Sequence, residues 1–223
     1  MKCGAVICLY DDHEYLRECV EAVVGQLDKV LFLMSDVPWH GRSNNNHDTR
    51  LVVEQLCTQF PQCELIEGHW EDEIEQRNFG LDRFVEWGID LYFLIDSDEI
   101  YREDEFARIK RFIAALPDVA AFHIEWNTYW RKEYYRIEPR EDYKPLIAVR
   151  PTSFSFNVIR GGTTAVHRTR AGVEAVGNGY NAVLIPPEVA ICYHLSYARD
   201  DSYMRRKLET NSHAPDFIPN YLS

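Results

Sequence analysis

The most chemically loaded stretch of the chain is Asp96-Ser97-Asp98-Glu99, which follows the uninterrupted apolar run Leu91-Tyr-Phe-Leu-Ile95. Such a run suits a buried strand, so the carboxylates emerge where that strand reaches the edge of a sheet. Carboxylate oxygens suit Mg2+ or Mn2+, and two acids flanking a small residue can address one ion and a neighbouring hydroxyl. The plainer alternative is that Asp98 or Glu99 caps a turn, or that the acids are simply solvated. A second strand end, Cys192-Tyr193-His194-Leu-Ser-Tyr197, carries an imidazole before a polar turn. Asp96, Asp98 and His194 together make a mixed oxygen and nitrogen set that leaves positions open for phosphate oxygens. The helix expected over 73–88 adds an anomaly, because its inward stripe at 74, 77, 78, 81, 84, 85 and 88 places Arg77 and Asn78 among Ile74, Leu81, Phe84 and Val85. Either the helix is rotated and both are half-exposed, or its first turns project beyond the sheet. In the second case Arg77 pairs with a phosphate or with the acidic cluster, and Asn78 holds a hydroxyl.

These side chains need a scaffold, and the hydrophobic pattern supplies one. Ala5-Val-Ile-Cys-Leu-Tyr10 is an opening strand, and Asp11-x-x-Glu14 predicts a capping box for a helix carrying Leu16, Cys19, Val20, Val23, Val24 and Leu27. A second apolar run over 29–34 ends at Ser35-Asp36, and a polar stretch through Asn44-Asn-Asn46 leads to a helix ended by Pro61. A short third strand is expected over 64–67. Glu71-Asp-Glu73 begins the 73–88 helix, where negative charge favours the N-terminal dipole. After the 91–95 strand, a helix carries Phe106, Ile109, Ile113 and Leu116 before Pro117. Strand and helix alternate four times. That predicts an α/β fold with a mostly parallel central sheet and helices on both faces. Ligands in such sheets bind outside the carboxyl ends of the strands. Here those ends are Tyr10-Asp11-Asp12, Ser35-Asp36, the 67–70 loop and Asp96-Ser97-Asp98, a polar and acidic rim.

Beyond residue 117 the pattern becomes an added mixed β region. Phe122-His-Ile-Glu-Trp126 and 146–149 are expected strands, and Arg160-Gly-Gly162 is a Gly-rich segment. Alternation over 183–185 and 189–193, interrupted by Pro186-Pro187, fits two short strands or one bent strand. A final helix over about 200–211 precedes a tail rich in Pro and aromatic residues. There is no internal repeat and no long linker, so 1–223 is expected to be one domain.

Composition bounds the ligands. The chain has 36 acidic and 24 basic side chains, a formal net charge of -12. That excess opposes binding to nucleic acid or to an anionic membrane, since both rely on clustered Lys and Arg. An anionic ligand then needs local help, and a metal ion is one form of it. The hydrophobic content of 46%, with 11 Gly and 10 Pro, indicates a chain that folds. The six cysteines show no CxxC pair or zinc-finger spacing, and no stretch is long and apolar enough for a signal peptide or transmembrane segment. A cytoplasmic, reduced protein is the expectation. No GxxxxGK[ST] or GxGxxG opens the first helix, so a Gly-rich phosphate cradle is not expected. Asp96-Ser97-Asp98 lacks the following Thr or Val of an aspartyl-phosphate nucleophile, and sparse Lys and Arg near the first turn weaken a sugar-phosphate nucleotidyltransferase reading.

The chain resembles the GT-A glycosyltransferases, more narrowly the family 2 type that includes small bacterial and phage enzymes and lipopolysaccharide-core glucosyltransferases. The resemblance rests on 5–16, Gln76-Arg-Asn-Phe-Gly-Leu81, Tyr92-Phe-Leu-Ile-Asp-Ser-Asp-Glu99, Tyr193-His-Leu-Ser-Tyr-Ala-Arg199 and Arg205-Arg-Lys-Leu208, in that order over most of the chain. It implies a nucleoside-diphosphate sugar donor, held through Mn2+ or Mg2+, and a hydroxyl acceptor on a saccharide, lipid-linked glycan or protein. Asp98 and His194 would ligate the metal, and Asp96, with Ser97 beside it, would contact ribose or a metal-bound water. Asp36 would meet the base or ribose, Tyr10 and Asp11 would line the nucleotide cleft, and Arg77 and Asn78 would lie beside the donor. The division implied is a nucleotide-binding half (1–117), an acceptor-side β region (118–199) and a C-terminal helix and tail (200–223).

The resemblance also implies inversion, with an Asp or Glu deprotonating the acceptor hydroxyl. Related lipopolysaccharide enzymes often carry Val-His-Glu after the central β region, where this chain has Val166-His167-Arg168. That leaves His167 and Glu125 as candidate bases, with a surface turn and a salt-bridged strand residue as their ordinary roles. The aromatic stretch 126–135 is either an acceptor-stacking surface or packing over the sheet edge. A catalytically silent nucleotide-sugar-binding or interaction module is the alternative to an enzyme.

Overall fold

The structure is a computed structural model that describes residues 1–40, 45–164, 166–169, 171–175 and 181–210, with side chains in the last helix described to Arg205. The Pro- and aromatic-rich tail and the start of the polar stretch at Asn44 lie outside the described residues. In chain order the first elements are β1 (Cys3–Leu9), α1 (Leu16–Val23), β2 (Lys29–Ser35), α2 (His47–Gln59), β3 (Cys63–Gly68), α3 (Glu73–Trp87), β4 (Leu91–Leu94), β5 (Glu99–Ile100) and α4 (Glu103–Ala114). There follow β6 (Ala121–His123), β7 (Trp126–Trp130), β8 (Leu146–Val149), β9 (Ser155–Val158), β10 (Gly161–Thr163), β11 (Val166–Thr169), β12 (Gly172–Ala175), β13 (Ala182–Leu184), β14 (Cys192–Tyr197) and α5 (Asp201–Thr210).

The continuous apolar runs become strands buried on both faces, as expected of a parallel sheet between helices. The central sheet has seven strands in the order β3-β2-β1-β4-β8-β6-β13. Its first four run parallel, and only β8 opposes its neighbours β4 and β6. Side-chain alternation splits the core. Ala5, Ile7, Val30, Phe32 and Phe93 pack with α1, α2 and α4, whereas Val6, Leu31, Leu33, Tyr92 and Leu94 pack with α3 and with Phe154 and Phe156. Burying each such Leu, Ile or Phe contributes about 1.5–3 kcal/mol.

Two helix starts separate pattern from outcome. The capping box predicted at Asp11 does not form; α1 begins at Leu16 with no side-chain cap. Asp11 instead takes φ 45°, and its backbone N–H donates to Asn46 Oδ1 at 2.7 Å. The 73–88 helix does form. Asp72 Oδ1 accepts from Glu75 N at 2.8 Å, and Gly88 ends the helix at φ 66°, a conformation that suits glycine. Its buried face is Glu73, Gln76, Arg77, Gly80, Leu81 and Phe84, so the helix is rotated from the predicted stripe. Gly80 permits this, since a Cβ there would lie 3.1 Å from Val6.

The added β region is divided differently from the sequence expectation. The run 122–126 is not one strand: β6 ends at His123 in the central sheet, and β7 starts at Trp126 in a second sheet of order β5-β14-β7. Of the two alternatives for 183–193, two short strands form, β13 in the central sheet and β14 in the smaller one. Each small-sheet strand follows a central-sheet strand in sequence: β5 after β4, β7 after β6, β14 after β13. The small sheet is therefore built onto the carboxyl edge of the large one. The turns after β1 and β4 leave the large sheet where its strand order reverses, the position at which α/β sheets open a ligand crevice.

Candidate active site

Asp96 and Glu99 leave the end of β4 into a buried ion-pair network. Arg77 in α3 donates from Nε to Glu73 at 2.7 Å and from Nη2 to Asp96 Oδ1 at 3.0 Å. Arg160, in the turn between β9 and β10 at φ 45°, donates to Asp96 Oδ2 at 2.5 Å and to Glu99 Oε1 at 2.6 Å. The other Glu99 oxygen accepts the Asp96 backbone N–H at 3.1 Å. Burial opposes the Asp96 charge, yet Arg160 and Arg77 hold its carboxyl well below the usual range. Glu99, fully enclosed, is pushed up to about 7 by burial, against the pull of Arg160 and with the like charge of Asp96 adding to the rise. The sequence alternatives for Arg77 resolve to the acidic cluster.

A second network joins the turns after β1 and β4 to α5 and the turn before it. Ser97 donates to Asp12 Oδ2 at 2.6 Å, and Tyr203 in α5 donates to Asp12 Oδ1 at 2.6 Å. Arg199 is enclosed between the rings of Tyr15 and Tyr203, with its guanidinium carbon 5.0 and 4.3 Å from their centroids. It pairs with Asp12 at 2.9 Å, Glu14 at 3.3 Å and Asp98 Oδ2 at 3.3 Å. His194 pairs in register with Glu99 of β5 and Thr128 of β7. Its Nε2 lies 4.0 Å from Asp98 Oδ1, and its ring stacks on Trp126 at 4.1 Å with an interplanar angle of 23°.

Of the expected metal trio, Asp96 has both oxygens engaged by arginines, and among the described residues no three His, Cys, Asp or Glu side chains gather as a metal site. Asp98 and His194 fit a cation differently. A hard divalent ion often takes one or two protein ligands and keeps its other positions for water and phosphate oxygens. Among the described residues, Asp12, Glu14, Glu73, Asp96, Asp98 and Glu99 pair with Arg77, Arg160 and Arg199.

Other expected site residues are placed variously. Tyr10 is half-buried in the turn after β1. Asp36 stands at the end of β2 with its side chain 69% exposed, hydrogen-bonded to His69 Nδ1 at 2.8 Å, a contact that raises the His69 pKa. The Ser97 hydroxyl is spent on Asp12 rather than offered to a nucleotide. Asn78 is also committed: its amide donates to Phe156 O at 2.9 Å and its oxygen accepts from Phe156 N at 3.1 Å, clamping β9 to α3 instead of holding a ligand hydroxyl.

The two candidate bases differ in setting. Glu125 is ion-paired to Arg140 at 2.9 Å and Lys144 at 3.7 Å, the salt-bridged role. His167 lies exposed on β11 opposite Glu174, where alternation turns it away from α3. Its neighbour Arg168 is buried. It donates to Phe154 O at 3.0 Å, Asn78 Oδ1 at 2.8 Å and Ser155 Oγ at 3.1 Å, and pairs with Asp82. The residue that replaces the expected acid is therefore a pin between β11, β9 and α3. Arg168→Met is expected to destabilise the fold by about 2–3 kcal/mol through these lost bonds, the exposed Asp82 contributing little. Urea denaturation checks this, and an unchanged midpoint contradicts it.

Several site residues escaped the sequence pattern. Asp12, Arg160 and Arg199 converge only through long-range folding; a positive φ at an Arg beside two glycines has no side-chain periodicity to announce it. The segment over 139–145 was also missed. Glu141 Oε1 accepts from Thr128 Oγ1 at 2.5 Å, and Thr128 is the register partner of His194. Tyr143 meets Trp126 edge-on at 5.5 Å. Between them Asp142 is exposed and has no ion pair among the described residues.

The sequence matches no protein-family model and no curated protein. Solved structures do show likeness. PcManGT, a mannosyltransferase from Pyrobaculum calidifontis in complex with GDP-Man and Mn2+, is 15% identical with a TM-score of 0.57, covering 97% of this chain and 65% of its own. S. aureus TarS, residues 1–349, is 11% identical with a TM-score of 0.51, covering 88% of this chain and 61% of its own. GalNAc-T7 with UDP, GalNAc and Mn2+ is 11% identical with a TM-score of 0.51, covering 87% and 44%. This chain spans less than two-thirds of the length of each. At such identities the likeness speaks for architecture, and with the strand order above it establishes that the chain has the GT-A fold of nucleotide-sugar transferases.

Proposed function

We propose that the chain is a metal-dependent glycosyltransferase of the family 2 type, moving a hexose from a nucleoside-diphosphate sugar to a hydroxyl on a saccharide, lipid-linked glycan or protein, with inversion. The observation that carries this is the Asp98–His194 pair, 4.0 Å apart at the sheet's reversal point, inside a buried cluster of carboxylates and arginines. The fold adds the precedent of neighbours holding GDP-Man or UDP with Mn2+.

Asp98 and His194 would hold Mn2+ or Mg2+, which when bound neutralises charge on a diphosphate leaving group. The protein's own part is positioning. Tyr10, Asp11 and Asp36 line the end of the crevice suited to base and ribose. Arg77 and Arg160 keep Asp96 ionised and fixed beside the ribose position. Asp142 is the best-placed base: it is exposed, has no cationic partner among the described residues, and is anchored on both sides to residues that touch the His194 strand or ring. It accepts the acceptor hydroxyl proton as that oxygen bonds to the anomeric carbon and the carbon–phosphate oxygen bond breaks.

In this reading 1–117 carries the nucleotide, 118–199 lends His194 and the acceptor side, and α5 closes on the first turn through Tyr203, with Arg199 just before the helix pairing to the same turn. The six cysteines are all free thiols, which suits a cytoplasmic setting, and among the described residues no helix is long and apolar enough to cross a membrane.

A thermal-shift panel of UDP, GDP, ADP and CDP, each with and without Mn2+, tests the ligand class. One nucleotide is expected to raise Tm only with metal, on the order of 5–10 °C at a hundredfold excess over Kd. No metal-dependent shift with any of them would reject the assignment.

A further inference from the structure

Trp126 starts β7 directly beside Cys192 of β14, two residues before His194, so the indole and the imidazole project from the same face of the small sheet. Their rings stack at 4.1 Å. The Arg160 guanidinium carbon lies 5.5 Å from the same indole centroid, and Tyr143 meets it edge-on. One ring therefore touches residues of both buried networks and the segment that carries Asp142. Trp126 is only 9% exposed, yet its Nε1–H is buried with no hydrogen-bond partner among the described residues. Buried indole N–H groups are ordinarily bonded. An exception on a ring stacked against His194 marks a place for an acceptor atom of a ligand.

We infer that Trp126 is a further contact residue of the donor site: its ring face fixes the plane of His194, and its indole N–H donates to an oxygen of the donor's diphosphate. This rests on the donor-site reading above. Phe at 126 keeps a face for His194 and removes the donor, whereas Leu removes both.

The test measures Mn2+ affinity by electron paramagnetic resonance of free Mn2+. It then measures affinity for the nucleoside diphosphate that stabilises the wild type most, by calorimetry in saturating Mn2+. Wild type, Trp126→Phe and Trp126→Leu are compared as full chains. Trp126→Phe is expected to bind Mn2+ within about threefold of wild type but the nucleotide about tenfold more weakly, and Trp126→Leu to lose affinity for both. Trp126→Phe is the decisive variant if the Leu chain fails to fold. A folded Trp126→Phe chain that binds the nucleotide as tightly as wild type overturns the diphosphate contact while leaving the donor-site reading intact. A wild type without metal-dependent nucleotide binding overturns that reading, and this inference with it.

Discussion

Asp98→Ala and His194→Ala are each expected to remove Mn2+-dependent nucleotide binding and to lower transfer by at least about a thousandfold, the scale expected when charge stabilisation of a leaving group is lost. The expectation follows from how little else holds the cation. Asp98 presents Oδ1 toward His194 Nε2 while Oδ2 faces Arg199. Arg199 retains Asp12 and Glu14 when Asp98 is removed, so the network loses one carboxylate without stranding its guanidinium. The variant chains should therefore stay folded, which circular dichroism checks, while isothermal titration with Mn2+ and nucleotide reads the loss. Unchanged affinity in either folded variant would take the metal away from this pair.

The second large effect belongs to Asp142→Asn. It should lower kcat by roughly a hundredfold to ten-thousandfold, the range for removing a general base, and leave nucleotide affinity unchanged. Asp142 makes no ion pair among the described residues, so its amide costs the fold little. Glu125→Gln and His167→Ala are expected to change kcat less than about tenfold. The first loosens the contacts of Arg140 and Lys144, and the second alters an exposed face of a hairpin. A collapse of kcat in Glu125→Gln beside a nearly intact Asp142→Asn would return the role to Glu125. Steady-state kinetics on the four chains decide between them.

The architecture was readable because it rests on repetition. The runs at 5–10, 29–34 and 91–95 and the helical spacing from Leu16 onward each repeat one local choice several times, and the parallel sheet follows from their alternation. The carboxylates at 96–98 and the imidazole at 194 were readable for the same reason, as polar interruptions at strand ends. What resisted were single contacts between remote residues. Asp11-x-x-Glu14 has the spacing of a capping box, but Asp12 is drawn into the Arg199 and Tyr203 network, and the helix starts later. Asn78 and Arg168 look like ligand and catalytic positions in sequence; each bonds mainly to β9 or the turn before it. The break between β6 and β7 has no Gly or Pro to announce it, because it is set by the transfer of Trp126 to a second sheet.

The net charge of -12 takes on a local meaning in the structure. Part of the acid excess is buried at the carboxyl edge of the sheet, where Arg77, Arg160 and Arg199 partly offset it. Arg77 and Arg160 keep Asp96 ionised, and in the proposed reading Asp98 and His194 would meet the metal.

Release of nucleoside diphosphate from a panel of UDP- and GDP-hexoses, with Mn2+ and with EDTA, tests the central claim most directly. The account predicts release from one donor that requires Mn2+, rises when a hydroxyl acceptor is supplied, and stops in EDTA. Metal-dependent binding of a nucleotide sugar with no release from any donor, with or without acceptor, would contradict it.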